Sequence, residues 1–236
     1  MNIALIKAGG IGSRMNAGIP KQFVSVNDVP VIIYTLKAFD NHPNIDEIYV
    51  VCVDGWHDIL WSYIKKHSIM KVKNIISGGT TSLRSIKCGI EEINKDNSRD
   101  DLVLIHDANR PLISEDIISD VIVNSKIYGN AVAAIPCTDE VMVSEKDNES
   151  TVFLDRKTLF RIQTPDAYPL GVIYDFLINA SEEELDYVGA TNTLVIKKGG
   201  RMHLAKGSEI NIRLTTQEDI ELFKAILDLR KEEFEK

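Results

Sequence analysis

Residues 2–15 read NIALIKAGGIGSRM, an apolar run that enters a glycine-rich turn. Glycines after a first strand let backbone N–H groups come close to phosphate oxygens. Arg14 and, after Pro20, Lys21 add cations that would neutralise the charge of a triphosphate. The sequence therefore predicts a phosphate-binding loop directly after the first strand. The predicted backbone members of this loop are Ala8, Gly9, Gly10 and Gly12.

Outward from this turn, strand-like and helical runs alternate along most of the chain. Apolar runs predict strands at residues 2–7, 47–53, 72–76, 101–106, 131–135 and 193–197, and helical patterns predict helices at 31–39, 57–66, 82–93, 171–180 and 217–234. A further helix is expected between Ser114, as its N-cap, and Gly129. This alternation predicts one α/β, Rossmann-like domain over residues 1–236, with helices on both faces of a mainly parallel sheet.

The alternation breaks between Pro136 and Pro165. There the segments EVMVSE and TVFLDRKTLF alternate with a period of two around a polar turn at residues 146–150. Period-two alternation on both sides of a polar turn indicates a β-hairpin, and this tip is too polar to lie in a core. We therefore predict a β-hairpin arm at about residues 136–165 that projects from the domain.

Composition excludes several classes of partner and location. The formal charge is −8 and no broad cationic surface is evident, so nucleic-acid binding is not expected. Three scattered cysteines without a CxxC pair indicate a reducing compartment. No signal peptide and no run of roughly 18 apolar residues is present, so the sequence predicts a cytoplasmic protein without a membrane partner.

The common signatures of other enzyme classes do not fit the chain. The glycine turn matches neither GxGxxG nor GxxxxGK[ST], and Asp54 is weak support for an NAD-type oxidoreductase without that fingerprint. The histidines show no HExxH spacing, which disfavours a zinc site. No GxSxG motif supports hydrolase chemistry.

Several separated motifs resemble one family in the same order. GGxGxRM followed by PKQ is similar to the sugar-nucleotide nucleotidylyltransferases, and most similar to the cytidylyltransferases for methylerythritol phosphate and ribitol 5-phosphate. The resemblance extends over the whole chain. Its other motifs are Gly78-Gly79 with Ser85, residues 106–111 (HDANRP), Asp155-Arg156, residues 163–165 (QTP) and residues 211–215 (NIRLT).

The resemblance implies a Mg²⁺-dependent transfer of CMP from CTP to a polyol phosphate. Arg14 and Lys21 would manage the triphosphate, and Arg213 would stabilise the α-phosphate. Asp107 ends an apolar strand, where open α/β sheets bind ligands, and its carboxylate suits Mg²⁺ shared with triphosphate oxygens. The residues implied for the cytosine and ribose pocket are Gly79, Thr80 and Ser85.

The resemblance also assigns acceptor-binding residues, several of them in the arm. In the family some of these positions reach into the neighbouring subunit's site, which implies a homodimer held together through the arm. The implied acceptor-binding residues are Arg110, Asp139, Glu140, Arg156 and Thr164.

The chain departs from the family pattern at several positions. Thr80 stands where relatives often carry an acidic residue, Ser82 where many carry Arg, and Arg213 where Lys is usual. Residues 188–191 (VGAT) lack an acidic residue that both branches usually have. We rank ribitol 5-phosphate or a similar polyol phosphate first as the acceptor. Methylerythritol phosphate is the alternative, and a catalytically silent nucleotide-binding paralogue ranks below both.

Overall fold

A seven-stranded sheet forms the centre of the computed structural model, which describes residues 1–10, 19–144 and 148–234. In chain order the strands are β1 (Asn2–Ala8), β2 (Ser25–Val26), β3 (Val29–Pro30), β4 (Glu47–Cys52), β5 (Val72–Ser77), β6 (Leu102–Asp107), β7 (Ala131–Pro136), β8 (Val141–Val143), β9 (Val152–Leu154), β10 (Phe160–Pro169) and β11 (Leu204–Lys206). The order across the sheet is β11-β7-β10-β6-β1-β4-β5. All its neighbours pair in parallel except β10, which is antiparallel to β6 and β7. The predicted mainly parallel sheet is confirmed.

Helices cover both faces of this sheet. In chain order they are α1 (Val31–Asp40), α2 (His57–Lys66), α3 (Ser82–Asp96), α4 (Glu115–Tyr128), α5 (Leu170–Ile178), α6 (Glu182–Tyr187), α7 (Thr191–Lys197) and α8 (Gln217–Phe234). One buried cluster joins α1, α2 and α4 to the sheet, and a second joins α3, α5, α6 and α7 to the other face. Among the described residues, no helix combines the length and the apolar character needed to cross a membrane.

Two local predictions differ from the structure. The apolar run at residues 193–197 predicts a strand, but these residues belong to helix α7. Thr191, Leu194 and Val195 are buried on one side of that helix, so packing at helical spacing outweighs intrinsic propensity. Helix α4 begins after Ser114 as predicted, but the Ser114 hydroxyl makes no capping hydrogen bond.

The arm is shorter than predicted. Strands β8 and β9 pair antiparallel in a sheet of their own, whereas residues 160–165 belong to β10 in the central sheet. Pro165 is tolerated inside β10 because the pairing with β7 is irregular between Ile162 and Asp166, where no regular ladder bond is required. The arm therefore comprises residues 137–159, of which 145–147 lie outside the described residues. Its role in dimerisation stays a prediction.

Candidate nucleotide and phosphate site

A cavity of about 380 Å³ opens where β1, β4, β5 and β6 end. The carboxyl edge of a parallel sheet is the usual ligand position in open α/β folds, and this volume suits a small molecule. The structure thus brings together predicted residues from four separate motifs. Those that line the cavity are Gly9, Gly10, Lys21, Gly79, Thr80, Ser85, Asp107 and Arg213.

The glycine turn is described only in part. Gly12 and Arg14 lie outside the described residues, so their predicted roles stay predictions. Ala8 is buried at the end of β1, and its carbonyl accepts a 2.6 Å hydrogen bond from Nε2 of the buried Gln22. This bond ties the PKQ segment to β1 and places Lys21 at the cavity.

The Gly78–Gly79 turn is held against the first turn of α3. The Ser85 hydroxyl accepts a hydrogen bond from the Gly79 N–H and donates one to the Gly79 carbonyl, both at 3.1 Å. A Cβ atom at Gly79 would lie 2.5 Å from the Arg84 Cβ, so this close approach requires glycine. Thr81 caps α3, and Thr80, Thr81 and Ser85 face the cavity, which therefore receives the positive end of the helix dipole.

Asp107 is the electrostatic centre of the cavity floor. Its Oδ1 lies 2.9 Å from Lys7 Nζ, and its Oδ2 lies 3.4 Å from Arg110 Nε and 3.5 Å from Arg213 Nε. Burial raises the pKa of Asp107, but attraction to Lys7, Arg213 and Arg110 outweighs burial and holds the pKa well below its usual range. The carboxylate is therefore ionised throughout the neutral range.

A buried histidine fixes Asp107 through Thr164. Burial lowers the pKa of His106 to about 3, so the ring is neutral. Its Nε2 lies 3.2 Å from the Arg110 carbonyl, which can only accept, so Nε2 carries the proton. Nδ1 then accepts from the Thr164 hydroxyl at 3.1 Å, and that hydroxyl accepts from the Asp107 N–H at 3.2 Å. The only hydrogen of the Thr164 hydroxyl is thereby committed to His106.

Arg213 is carried by a segment that is clamped on both sides. The Leu214 N–H donates to the Asn109 carbonyl at 2.8 Å, and the Asn109 side chain donates back to the Leu214 carbonyl. Asn211 is fully buried and donates to the Thr164 carbonyl at 2.9 Å. The Arg213 side chain is half exposed, so a fixed backbone presents a cation to the cavity.

The predicted acceptor residues fall into two groups. The half-buried Arg110 and the buried Thr164 lie behind Asp107 and contact it without lining the cavity. Asp139, Glu140 and Arg156 are exposed in the arm, where the Arg156 guanidinium pairs with Glu140 at 3.2 Å. The structure therefore does not bring the arm residues of one chain to that chain's own cavity lining.

Asp107 is the predicted Mg²⁺ ligand, and the side chains around it determine whether an ion could be held there. No group of three or more His, Cys, Asp or Glu side chains within residues 1–10, 19–144 and 148–234 could hold a metal ion. Mg²⁺ in nucleotide sites typically uses one or two carboxylates plus substrate phosphates. The Oδ2 contacts to Arg110 and Arg213 are long, which leaves this oxygen able to accept a further partner. One carboxylate that shares the ion with triphosphate oxygens fits this site.

Two charged residues inside apolar strands were missed in the sequence. Lys7 lines the cavity, and Asp166 is buried on the neighbouring part of β10. The signal in each case was a charge inside an otherwise apolar strand, since such a charge is costly without a partner.

Three comparisons place the chain among known proteins. A family model described as IspD, 2-C-methyl-D-erythritol 4-phosphate cytidylyltransferase, matches residues 2–229. The ribitol-5-phosphate cytidylyltransferase of Lacticaseibacillus paracasei is 44% identical over 229 residues, which cover 96% of this chain and 98% of that protein. The 2-C-methyl-D-erythritol 4-phosphate cytidylyltransferase of Clostridium novyi is 35% identical, with 96% of each chain covered. The solved structure of 4-diphosphocytidyl-2C-methyl-D-erythritol synthase from Anaerococcus prevotii superposes with a TM-score of 0.82 at 27% identity, covering 97% of this chain and 96% of that one.

Proposed function

The chain belongs to the IspD family of 2-C-methyl-D-erythritol 4-phosphate cytidylyltransferases, and on this basis we propose that it transfers CMP from CTP to a polyol phosphate and releases pyrophosphate. The preferred acceptor is ribitol 5-phosphate. The observation that carries the proposal is the cavity at the carboxyl edge of the sheet. Its described lining contains three cations, Lys7, Lys21 and Arg213, against two carboxylates, Asp54 and Asp107.

Sequence similarity supports the ranking of the two acceptors. The relative named for ribitol 5-phosphate is 44% identical, and that named for methylerythritol phosphate is 35% identical. The family model and the Clostridium novyi relative keep methylerythritol phosphate as the second candidate.

The charge distribution suits a triphosphate. The whole chain carries a net charge of −8, yet the described cavity lining has an excess of one positive charge. A local positive potential inside a concave site attracts a polyanion even when the protein is acidic overall. Lys21, with Arg14, binds the β- and γ-phosphates, while Gly9 and Gly10 allow backbone N–H groups to approach them.

The reaction needs positioning and charge stabilisation rather than a general base. The second pKa of a phosphate monoester is near 6, so the acceptor phosphate is an anionic nucleophile at neutral pH. Its oxygen attacks the α-phosphorus of CTP, and pyrophosphate leaves in line. Arg213 stabilises the charge that develops on the α-phosphate oxygens, and binding both reactants together lowers the entropic part of the barrier.

Mg²⁺ is the proposed cofactor, held by Asp107 together with triphosphate oxygens. Bound there, the ion would neutralise charge on the phosphates and on the leaving pyrophosphate. Arg110 contacts the Asp107 carboxylate, while Thr164, supported by His106, holds the Asp107 backbone N–H. Because three cations already surround Asp107, a bound ion would depend on the triphosphate oxygens for most of its attraction.

The acceptor site is proposed to be completed by a second subunit. Arg156, Asp139 and Glu140 do not line the cavity of their own chain, and the arm exposes Met142 and Phe153 with 67% and 69% of their surface accessible. Large exposed apolar side chains on a two-stranded hairpin favour packing on a partner. A homodimer in which each arm reaches the other subunit's acceptor site satisfies both observations.

Turnover with a panel of substrates tests the proposed function. Pyrophosphate release should be far faster with CTP than with ATP, GTP or UTP, and ribitol 5-phosphate should give a higher kcat/KM than methylerythritol phosphate. Equal kcat/KM for UTP or ATP would refute the assignment as a cytidylyltransferase. No release with any pair of substrates, despite CTP binding, would identify a catalytically silent paralogue.

Two glycine-to-alanine variants distinguish an effect on stability from an effect on phosphate binding. Gly79→Ala places a Cβ atom against the Arg84 backbone and should lower the free energy of unfolding by about 2 kcal/mol. Apart from its chain neighbours, no atom of the described residues lies within 4 Å of the Cβ position at Gly10. Gly10→Ala should therefore keep the wild-type stability but weaken CTP binding, because its methyl group occupies the space of a phosphate oxygen. Urea unfolding and calorimetric titration with CTP measure the two effects, and unchanged CTP affinity in Gly10→Ala would contradict the proposed loop contact.

A further inference from the structure

Lys7 is an ammonium group on the floor of the cavity. It is the penultimate residue of the central strand β1, and its side chain is 16% exposed. Its Nζ lies 2.9 Å from Asp107 Oδ1, and the residue lines the cavity together with Gly9 and Gly10. A lysine in this position loses most of its hydration, so the surrounding structure must compensate its charge.

A second buried aspartate lies near Lys7. Asp166 is 1% exposed, and its Oδ2 accepts hydrogen bonds from the Tyr168 hydroxyl at 2.7 Å and from the Thr191 hydroxyl. Burial is the largest influence on Asp166 and leaves its pKa raised, although the attraction of Lys7 opposes the rise. Strand β6 lies between β1 and β10, so Asp107 on β6 contacts Lys7 directly and Asp166 on β10 lies one strand beyond.

Lys7 is not the only cation that neutralises Asp107. Arg110 and Arg213 also contact its Oδ2, so the carboxylate would keep two cations without Lys7. The ammonium group has three N–H donors. Within the described parts of the chain, the carboxylate contact recorded for Lys7 is the one to Asp107. Donors of Lys7 thus remain for a ligand that enters the cavity.

We propose that Lys7 binds a phosphoryl oxygen at the junction of the two substrates and that Asp166 acts through Lys7 as a positioning residue. The inference rests on the proposed function and adds to it a catalytic cation and its support. Two sources of that oxygen share the same chemistry, the α-phosphate of CTP and the phosphate of the acceptor.

The step that Lys7 assists is a single displacement. A bond forms between the acceptor phosphate oxygen and the α-phosphorus, and the bond from the α-phosphorus to the bridging oxygen breaks. The electron pair of the broken bond leaves on pyrophosphate. Lys7 donates hydrogen bonds to the crowded anionic oxygens and transfers no proton, so its contribution is electrostatic.

A double variant that removes one positive and one negative charge shows whether Lys7 binds a phosphate oxygen or only neutralises Asp166. Lys7→Met removes the ammonium group but leaves Asp166 uncompensated, so it could lower stability. Adding Asp166→Asn removes one negative charge together with one positive charge and keeps an oxygen that accepts from Tyr168 and Thr191. The control is Lys73→Met on β5, which breaks a 3.0 Å ion pair with Glu47 on β4 and lies outside the lining of this cavity.

We expect the double variant to unfold near the wild-type urea midpoint and to lose on the order of a hundredfold in kcat/KM, while Lys73→Met keeps wild-type turnover. Calorimetry with CTP alone and with ribitol 5-phosphate alone identifies the source of the oxygen. A raised Kd for CTP assigns Lys7 to the nucleotide, and a raised acceptor Kd or KM at unchanged CTP affinity assigns it to the acceptor phosphate.

A double-mutant cycle tests the role of Asp166. If Asp166 acts through Lys7, Asp166→Asn lowers kcat/KM in the wild-type background and has no further effect once Lys7 is Met. Recovery of wild-type kcat/KM and binding in the double variant would overturn the proposal, because Lys7 would then only neutralise Asp166.

Failure of the proposed function would give a different result. The wild type would then release no pyrophosphate with any substrate pair. The two binding titrations would still decide whether Lys7 contacts a phosphate. Unchanged affinity for both ligands in the double variant would reject the contact.

Discussion

Asp107→Asn is expected to lower kcat/KM on the order of a thousandfold, about 4 kcal/mol of transition-state stabilisation. Asparagine keeps the shape of aspartate but removes the charge that Lys7, Arg110 and Arg213 share. It also removes the proposed Mg²⁺ ligand. The largely buried Arg110 side chain pairs with Asp107. Because the variant removes the negative partner of Arg110, it should also lower the free energy of unfolding by about 3 kcal/mol.

Nucleotide affinity should change in the opposite direction to turnover. With EDTA present, CTP should bind Asp107→Asn at least as tightly as the wild type, because a negative charge beside the triphosphate has been removed. Calorimetry with and without Mg²⁺ measures this, and Asp175→Asn, which breaks a surface pair with Arg99, is the control. Loss of CTP binding in EDTA by a folded Asp107→Asn variant would show that the carboxylate contacts the nucleotide directly rather than through a metal.

Mixing two impaired variants is expected to restore activity if the arm serves the partner's site. Arg156→Ala impairs the arm, and Lys21→Ala impairs the nucleotide cavity. In a mixed dimer one site would carry both lesions and the other neither. After random exchange of equal amounts, about a quarter of all sites should be intact, well above the residual activity of either parent. Kinetics before and after subunit exchange at micromolar protein measure the gain.

The same variants define the contrary result. If Arg156 served its own subunit, each site of a mixed dimer would carry one lesion and no activity would return. Arg156→Ala alone should raise the acceptor KM while CTP affinity stays near the wild-type value. A matched control is Lys157→Ala, which removes a neighbouring cation of the arm and should leave the acceptor KM unchanged. Sedimentation of the wild type as a monomer would contradict the dimer itself.

Much of the fold could be predicted from periodicity because its core is regular. Buried strands such as 47–53 and helices such as 57–66 differ from the structure by one residue or none at each end. The errors lie where tertiary contacts override local preference. Residues 193–197 form an apolar run, yet Leu194 and Val195 pack with Thr191 at helical spacing. The antiparallel course of β10 was missed because it contains Pro165, and its irregular pairing with β7 cannot be read from the sequence.

The cavity lining was predicted well because glycine turns and strand-end charges lie in recognisable motifs. Lys7 and Asp166 were missed because each reads as one charge in an apolar strand. Only the sheet order shows that β1 and β10 flank β6 and bring both charges near Asp107. The sequence also could not show that the predicted acceptor residues fall into two groups. Arg110 and Thr164 pack behind Asp107, whereas Arg156 lies in the arm.

The antiparallel strand β10 has an evolutionary consequence. It enters the sheet at the ligand edge, so the arm both leaves and rejoins the sheet there, and the Cys137 N–H bonds to the Leu159 carbonyl at 2.9 Å. A segment whose two ends meet is a module. Insertion, deletion or exchange of residues 137–159 between relatives would leave the register of the seven strands unchanged. If the arm binds the acceptor as proposed, acceptor choice can diverge within the lineage while the nucleotide cavity is inherited intact.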